Sequence, residues 1–146
     1  MRRVARRSGT APRAAAWGFT LIEVSITLVV ATLLVAVALP AYRDHIGKSR
    51  RSDAKTSLLT LAQLMERWYT ERGSYAGATV GSSGIAPSAS SQGFYTMSIT
   101  AQDAAGFTIR ATPTGAQTGD ACGSFTYTQA GTRGVTGGTK TAAQCW

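Results

Sequence analysis

Few side chains in this chain could do chemistry, and they lie far apart in the sequence. The 146 residues include one histidine, His45, and two cysteines, Cys122 and Cys145. A structural zinc site normally needs four cysteine or histidine ligands. A catalytic site of the Ser-His-acid or Cys-His type would have to use His45, which lies among charged residues just after a long apolar run. These counts predict no enzyme, no metal site and no cofactor.

The apolar run covers residues 19–39 and contains a single charged residue, Glu23. As a helix it would be about 32 Å long, at roughly 1.5 Å per residue, and the hydrocarbon core of a bilayer is about 30 Å thick. The run is longer than the apolar part of a secretory signal peptide, and Pro40 follows it instead of a small-residue cleavage site. The sequence therefore predicts one membrane-spanning helix.

Basic residues lie on both sides of this run, and the chain has a formal net charge of +8. Five cations precede the run and five follow it closely, so the positive-inside rule does not orient the span. Aromatic side chains that would stack on bases are not interleaved with the second group, so lipid headgroups or acidic neighbours are favoured over nucleic acid, which stays a minor hypothesis. The cations of this second group are Arg43, Lys48, Arg50, Arg51 and Lys55.

Glu23 is the most informative residue of the run, because an ionisable group in an apolar span costs free energy and commonly marks a function or a partner. It lies one turn from the start of the run, so a side chain that reaches the polar interface is the simpler alternative. The segment Gly18-Phe19-Thr20-Leu21-Ile22-Glu23 resembles the cleavage motif of type IV prepilins. The match includes a short basic leader, a glycine, a phenylalanine, an acid five residues in and about 20 apolar residues.

The resemblance implies a processing step and an assembly step. A prepilin peptidase would cut between Gly18 and Phe19 and then methylate the new amino group of Phe19. Glu23 would pair with the Phe19 ammonium of a neighbouring subunit, and this attraction is much stronger in an apolar medium than in water. Pro40, which lacks a donor N–H, would flank a stretch that can lose helical structure when subunits pack into a filament.

A second helical pattern begins at Asp53. Its apolar residues recur every three or four positions and form one stripe, which indicates a packing face. Arg72 followed by Gly73 is a typical helix end, with a cation in the last turn and then a residue that tolerates the left-handed conformation. The stripe consists of Ala54, Leu58, Leu61, Met65 and Trp68, widened by Leu59, Ala62, Leu64 and Tyr69.

The rest of the chain predicts a loop followed by a small sheet. Residues 76–93 have a loop composition with too little bulky apolar material to make a core. After them, alternating apolar residues predict three or four antiparallel strands, the first over 94–101 and the second over 107–112. Such a sheet needs a cover for its apolar face. The predicted fold class is therefore α+β, with a long N-terminal helix packed on a three- or four-stranded antiparallel sheet.

The C-terminal residues carry a further resemblance. The segment Gly119-Asp120-Ala121-Cys122-Gly123 and the ending Cys145-Trp146 are similar to the PilE-like group of type IVa pilins, which includes minor pilins. The resemblance implies a disulfide between Cys122 and Cys145, as expected in an oxidising compartment. Two free thiols are the alternative.

The expected organisation is a leader at 1–18, a transmembrane and assembly helix at 19–39, an amphipathic helix half at 40–73 and a β-domain at 74–146. The resemblance implies a type IV pilus subunit, major or minor, with a pseudopilin of a type II secretion system as the alternative. Its partners would be other pilin subunits, the prepilin peptidase, the inner-membrane assembly machinery and, before assembly, membrane lipid. Its location would be the inner membrane of a Gram-negative-type bacterium and then the extracellular filament.

Overall fold

A computed structural model of the chain describes residues 18–146. Residues 1–17, which hold all but the last position of the expected leader, lie outside the described residues. The chain divides into two units between Leu39 and Pro40. In order, the elements are α1 (Leu21–Arg72), β1 (Tyr95–Gln102), β2 (Phe107–Pro113), β3 (Ser124–Thr128), β4 (Arg133–Thr136) and α2 (Ala142–Cys145), with a short 3-10 turn at Gly115–Gln117.

The first unit is the apolar beginning of α1. The backbone N–H of Glu23 donates to the hydroxyl of Thr20 at 3.3 Å, which satisfies one of the free donors at the start of the helix. The hydroxyls of Ser25 and Thr32 donate to helix carbonyls four residues back, at 2.9 and 2.7 Å. These two hydroxyls therefore need no hydrogen-bond partner outside the helix. An 18-residue stretch of α1 has a mean hydropathy of 2.5, so by length and composition the helix could cross a membrane.

The second unit begins with the remainder of α1, which stays helical through Pro40. The centre of the predicted packing stripe is confirmed, since Ala54, Leu58 and Met65 are fully buried. Leu59 and Tyr69, which were predicted to widen it, are exposed because they lie at its edges. The helix ends at Arg72 as predicted. Gly73 adopts a positive φ of 70°, and its N–H donates to the carbonyl of Tyr69 at 2.7 Å.

Four antiparallel strands form one sheet in the order β1-β2-β3-β4. Every connection joins neighbouring strands, so the sheet is a simple meander. One face is apolar, and its side chains share a single core with the α1 stripe. The predicted α+β fold, with the long helix packed on the sheet, is confirmed. The buried strand residues are Tyr95, Met97, Phe107, Ile109, Ala111 and Phe125.

The connection between α1 and β1 differs from the prediction of a loop that makes no core. Ala78 and Ser90 are buried, and Ile85 packs against the core from outside. The hydroxyl of Ser90 accepts the backbone N–H of Tyr95 at 3.0 Å, so the buried polar group is satisfied. Small side chains let the backbone of this segment approach the core closely. They leave no periodic apolar pattern, so the sequence does not predict that parts of this segment are buried.

Two neighbouring leucines of α1 provide a direct test of this packing. Leu58 is 0% exposed, whereas Leu59 is 38% exposed. We expect Leu58→Ala to lower the free energy of unfolding by about 2–5 kcal/mol, because it leaves a cavity in the core. Leu59→Ala, the matched control, should change it by less than about 1 kcal/mol. Denaturant unfolding of the full chain in detergent micelles measures both, and equal losses would contradict the described packing.

Candidate functional site

The first candidate surface is the apolar segment of the first unit, where Phe19 and Leu21 are 82% and 87% exposed. Gly18 and Phe19 precede the first helical residue, Leu21, so the peptide bond between them lies outside the helix. The Glu23 side chain is exposed, and within residues 18–146 it has neither a hydrogen-bond nor an ion-pair partner. Gly18, Phe19 and Glu23 thus lie together at the exposed beginning of α1, whereas Pro40 lies within the helix at the start of the second unit.

The second candidate surface is built around a disulfide. Cys122 and Cys145 are bonded, with their Cα atoms 5.9 Å apart, so the alternative of two free thiols is wrong. Both cysteines are buried. In the chain-entropy estimate, closing a loop of this length stabilises the fold by roughly 3 kcal/mol. The bond therefore fixes the last segment of the chain on the core.

An ion pair joins α1 to the start of this disulfide-closed segment. The Nε atom of Arg51 donates to the two carboxylate oxygens of Asp120 at 2.9 and 3.0 Å. The Arg51 and Asp120 side chains are 13% and 5% exposed, and Asp120 also accepts the backbone N–H of Cys122 at 3.2 Å. Donation to Asp120 raises the pKa of the Arg51 guanidinium. The sequence does not predict this pair, because nothing distinguishes Arg51 from the other four cations that follow the apolar run.

The third candidate surface is formed by Trp146 and its neighbours. The indole N–H of Trp146 donates to the carbonyl of Gly134 at 3.0 Å, and its ring lies 6.1 Å from that of Tyr127. The guanidinium of Arg133 lies 5.4 Å from the centre of the Trp146 ring. The Lys55 ammonium donates to the Trp146 backbone oxygen at 3.2 Å, and burial lowers the pKa of Lys55. Lys55, one of the five cations that follow the apolar run, thus has a contact within the chain.

The part of the chain that the structure describes contains no cluster of three or more His, Cys, Asp or Glu side chains placed to hold a metal ion. His45 is exposed on α1, outside the core. The three surfaces offer apolar contact at the first, and ion pairing or stacking at the other two.

A protein-family model matches residues 40–126, which are 87 of the 146 residues or about 60% of the chain. That family is described as "Type IV minor pilin ComP, DNA uptake sequence receptor". In fold, the chain is similar to the crystal structure of the non-core minor pilin PilV of Neisseria meningitidis. This likeness has a TM-score of 0.55 and 23% identity, and it covers 67% of this chain and 94% of PilV.

Curated relatives show the same similarity in sequence. A fimbrial protein of Neisseria meningitidis serogroup B is 34% identical over 82 residues, which are 56% of this chain and 48% of the relative. The type IV major pilin protein PilE of Neisseria gonorrhoeae is 35% identical over 78 residues, 53% of this chain and 46% of PilE. The chain thus spans about half the length of these relatives.

Proposed function

We propose that this chain, which belongs to the ComP family of type IV minor pilins, is a subunit of a type IV pilus. It polymerises through its N-terminal helix into an extracellular filament that serves adhesion, twitching motility or DNA uptake. The observation that carries the proposal is the apolar segment 19–39, which is exposed along its whole length and contains one acid. Such a surface is stable only in lipid or against other apolar helices, and a subunit that moves from the membrane into a filament meets both.

Processing prepares the segment for assembly. The prepilin peptidase cuts between Gly18 and Phe19, removes the leader 1–18 and methylates Phe19. The exposed, non-helical position of this bond supports the assignment, since a protease needs an extended, accessible chain. The mature subunit then has three parts, the assembly helix 19–39, the amphipathic half 40–73 and the β-domain 74–146.

Glu23 gives the assembly its register. A carboxylate surrounded by apolar helices is costly unless it is paired, and within the described residues it has no partner of its own. The new amino group of Phe19 on a neighbouring subunit supplies that partner. Pro40 removes one backbone donor from α1, and local opening of the helix at this position adjusts the subunit to its neighbours.

The location of the subunit follows from this sequence of events. It crosses the inner membrane of a Gram-negative-type bacterium once, and the assembly machinery then transfers it to the filament. The disulfide supports an oxidising compartment for the second unit. The alternative of a type II secretion pseudopilin gains no support from the named relatives, which are fimbrial proteins and pilins.

Nucleic acid is a second candidate partner, favoured by the surface around Trp146. Arg133 lies over the Trp146 ring, so a cation and an aromatic face occur together there. This combination binds phosphates and bases. It differs from the basic cluster after the apolar run, where the sequence offers no interleaved aromatic residues.

The assembly proposal predicts the behaviour of Glu23→Ala. We expect the variant to be processed and kept in the membrane, with its amount in the sheared filament fraction reduced by about tenfold or more, because the buried Phe19 ammonium loses its partner. Ser25→Ala is the matched control, since the Ser25 hydroxyl is satisfied by the carbonyl of Leu21. Quantitative immunoblotting of filament and membrane fractions measures both. Wild-type filament levels in Glu23→Ala would contradict the proposal.

The nucleic-acid proposal predicts a local effect of Arg133→Gln. Its affinity for a short DNA duplex should fall about threefold to tenfold, and the slope of log affinity against log salt should decrease by about one. Arg67→Gln is the control, because Arg67 is an exposed arginine already paired with Glu71. Fluorescence anisotropy of labelled DNA with the full chain in micelles gives both numbers. An equal loss in the two variants, or no binding by the wild type, would refute this candidate.

A further inference from the structure

A surface groove of about 540 Å³ in the second unit is lined by more cations than acids. One side is α1 just after Pro40, and the other is the segment 116–121 before the first cysteine, together with Lys140. The pair Arg51–Asp120 neutralises itself, which leaves the groove with a net charge of +2. The charged residues that line it are Arg43, Asp44, Arg50, Arg51, Asp120 and Lys140.

The Arg50 guanidinium is held in place before any ligand arrives, and the backbone of Lys140 is fixed beside the groove. The guanidinium of Arg50 lies 4.4 Å from the centre of the Phe94 ring, and its Nη1 donates to the carbonyl of Ala116 at 3.3 Å. The backbone N–H of Lys140 donates to the carbonyl of Ala121 at 3.0 Å. A guanidinium carries five donors, so Arg50 keeps most of them for a ligand. Fixing the Arg50 guanidinium in advance lowers the entropic cost of binding an anion.

A second copy of the chain is a poor source of an anion for this groove, because it offers few unpaired carboxylates. Within residues 40–146, Asp44 is the one carboxylate for which the structure shows no partner, and it lines the groove itself. The other carboxylates accept hydrogen bonds within the chain: Asp53 from Gln92, Glu66 from Tyr75, Glu71 from Arg67, Asp103 from its own turn and Asp120 from Arg51.

The position of the groove along the chain indicates the source of the anion. Arg43 follows Leu39, the last residue of the apolar run, by four residues, so at about 3.5 Å per residue the two lie within about 14 Å of chain. Lipid phosphates lie in the polar layer that adds roughly 5–8 Å to each side of the hydrocarbon core. Arg50 is two turns beyond Arg43 on the same side of α1. Chain length alone therefore lets Arg43 reach the headgroups of a membrane that holds residues 19–39.

We propose that this groove binds the phosphate of an anionic phospholipid of the phosphatidylglycerol class while the subunit is in the membrane. The inference uses only the membrane stage of the proposed function. The planar guanidinium groups of Arg43 and Arg50 suit the phosphate oxygens, and Lys140 adds a third cation from the disulfide-closed segment. Bound lipid would keep unassembled subunits among anionic headgroups, and the attraction would weaken as salt increases.

The test compares two short-chain lipids that differ in headgroup charge. The full chain in zwitterionic micelles is titrated with dihexanoyl phosphatidylglycerol or with dihexanoyl phosphatidylcholine. Backbone amide NMR shifts of residues 116–121 and 140 report occupancy, and those of the strands confirm that each variant is folded. The wild type should bind the anionic lipid about tenfold or more tightly than the zwitterionic one.

Matched variants separate the groove from general charge. Arg43→Gln and Lys140→Gln, each made alone, should each reduce the preference by about fivefold. Lys48→Gln removes one cation of α1 that does not line the groove, and it should change the preference less than about twofold. Arg50 is kept unchanged because its stacking on Phe94 also supports the fold.

Two results of the lipid titration would overturn the proposal: no preference between the two lipids, or a loss of preference in Lys48→Gln equal to that in the groove variants. Two competition results would also overturn it: displacement of the lipid by inorganic phosphate at equal concentration, or displacement by a short DNA duplex. The last two would assign the groove to free phosphate or to nucleic acid. The lipid titration does not depend on filament assembly. Lipid binding can therefore be absent in a chain that forms filaments, and it can be present in a chain that forms none.

Discussion

The burial of the apolar stripe of α1 against the sheet is the contact on which the second unit depends. A small antiparallel sheet with one apolar face is not stable without a cover, and Leu58, Met65 and Ile109 share one core. The same helix begins with an apolar segment that is exposed on every side. Its later half packs on its own sheet, and its first part is the surface that the proposed membrane and filament stages use.

The disulfide and the Arg51–Asp120 pair attach the end of the chain to this helix. The cysteines close the last loop, and Asp120 accepts hydrogen bonds both from Arg51 and from the N–H of Cys122. Breaking one member of such a buried pair leaves an unpaired charge and costs about 3–5 kcal/mol. The same attachments position Lys140 and the backbone around Ala121 beside α1. The cationic groove therefore depends on the attachment of the C-terminal segment to α1.

Much of this architecture could be predicted from the sequence, because local patterns determine it. Apolar spacing predicted the α1 stripe, the Arg72–Gly73 pair predicted its end, and alternation predicted the strands that contain Met97 and Ile109. The contacts of Ser90 in the core and of Arg51 with Asp120 could not be predicted. The Arg51–Asp120 pair joins residues 69 positions apart, and both contacts involve small or charged side chains that leave no periodic signal. The roles of Gly18, Phe19, Glu23 and Pro40 stay predictions, since they concern events between molecules.

The central claim is that residues 19–39 assemble subunits once the leader has been removed. Mass spectrometry of the N-terminus of the protein in a sheared surface-filament fraction tests it most directly. We expect an abundant species that begins with N-methylated Phe19. A stable chain in the cell that still carries residues 1–18, with none in the filament fraction, would contradict it.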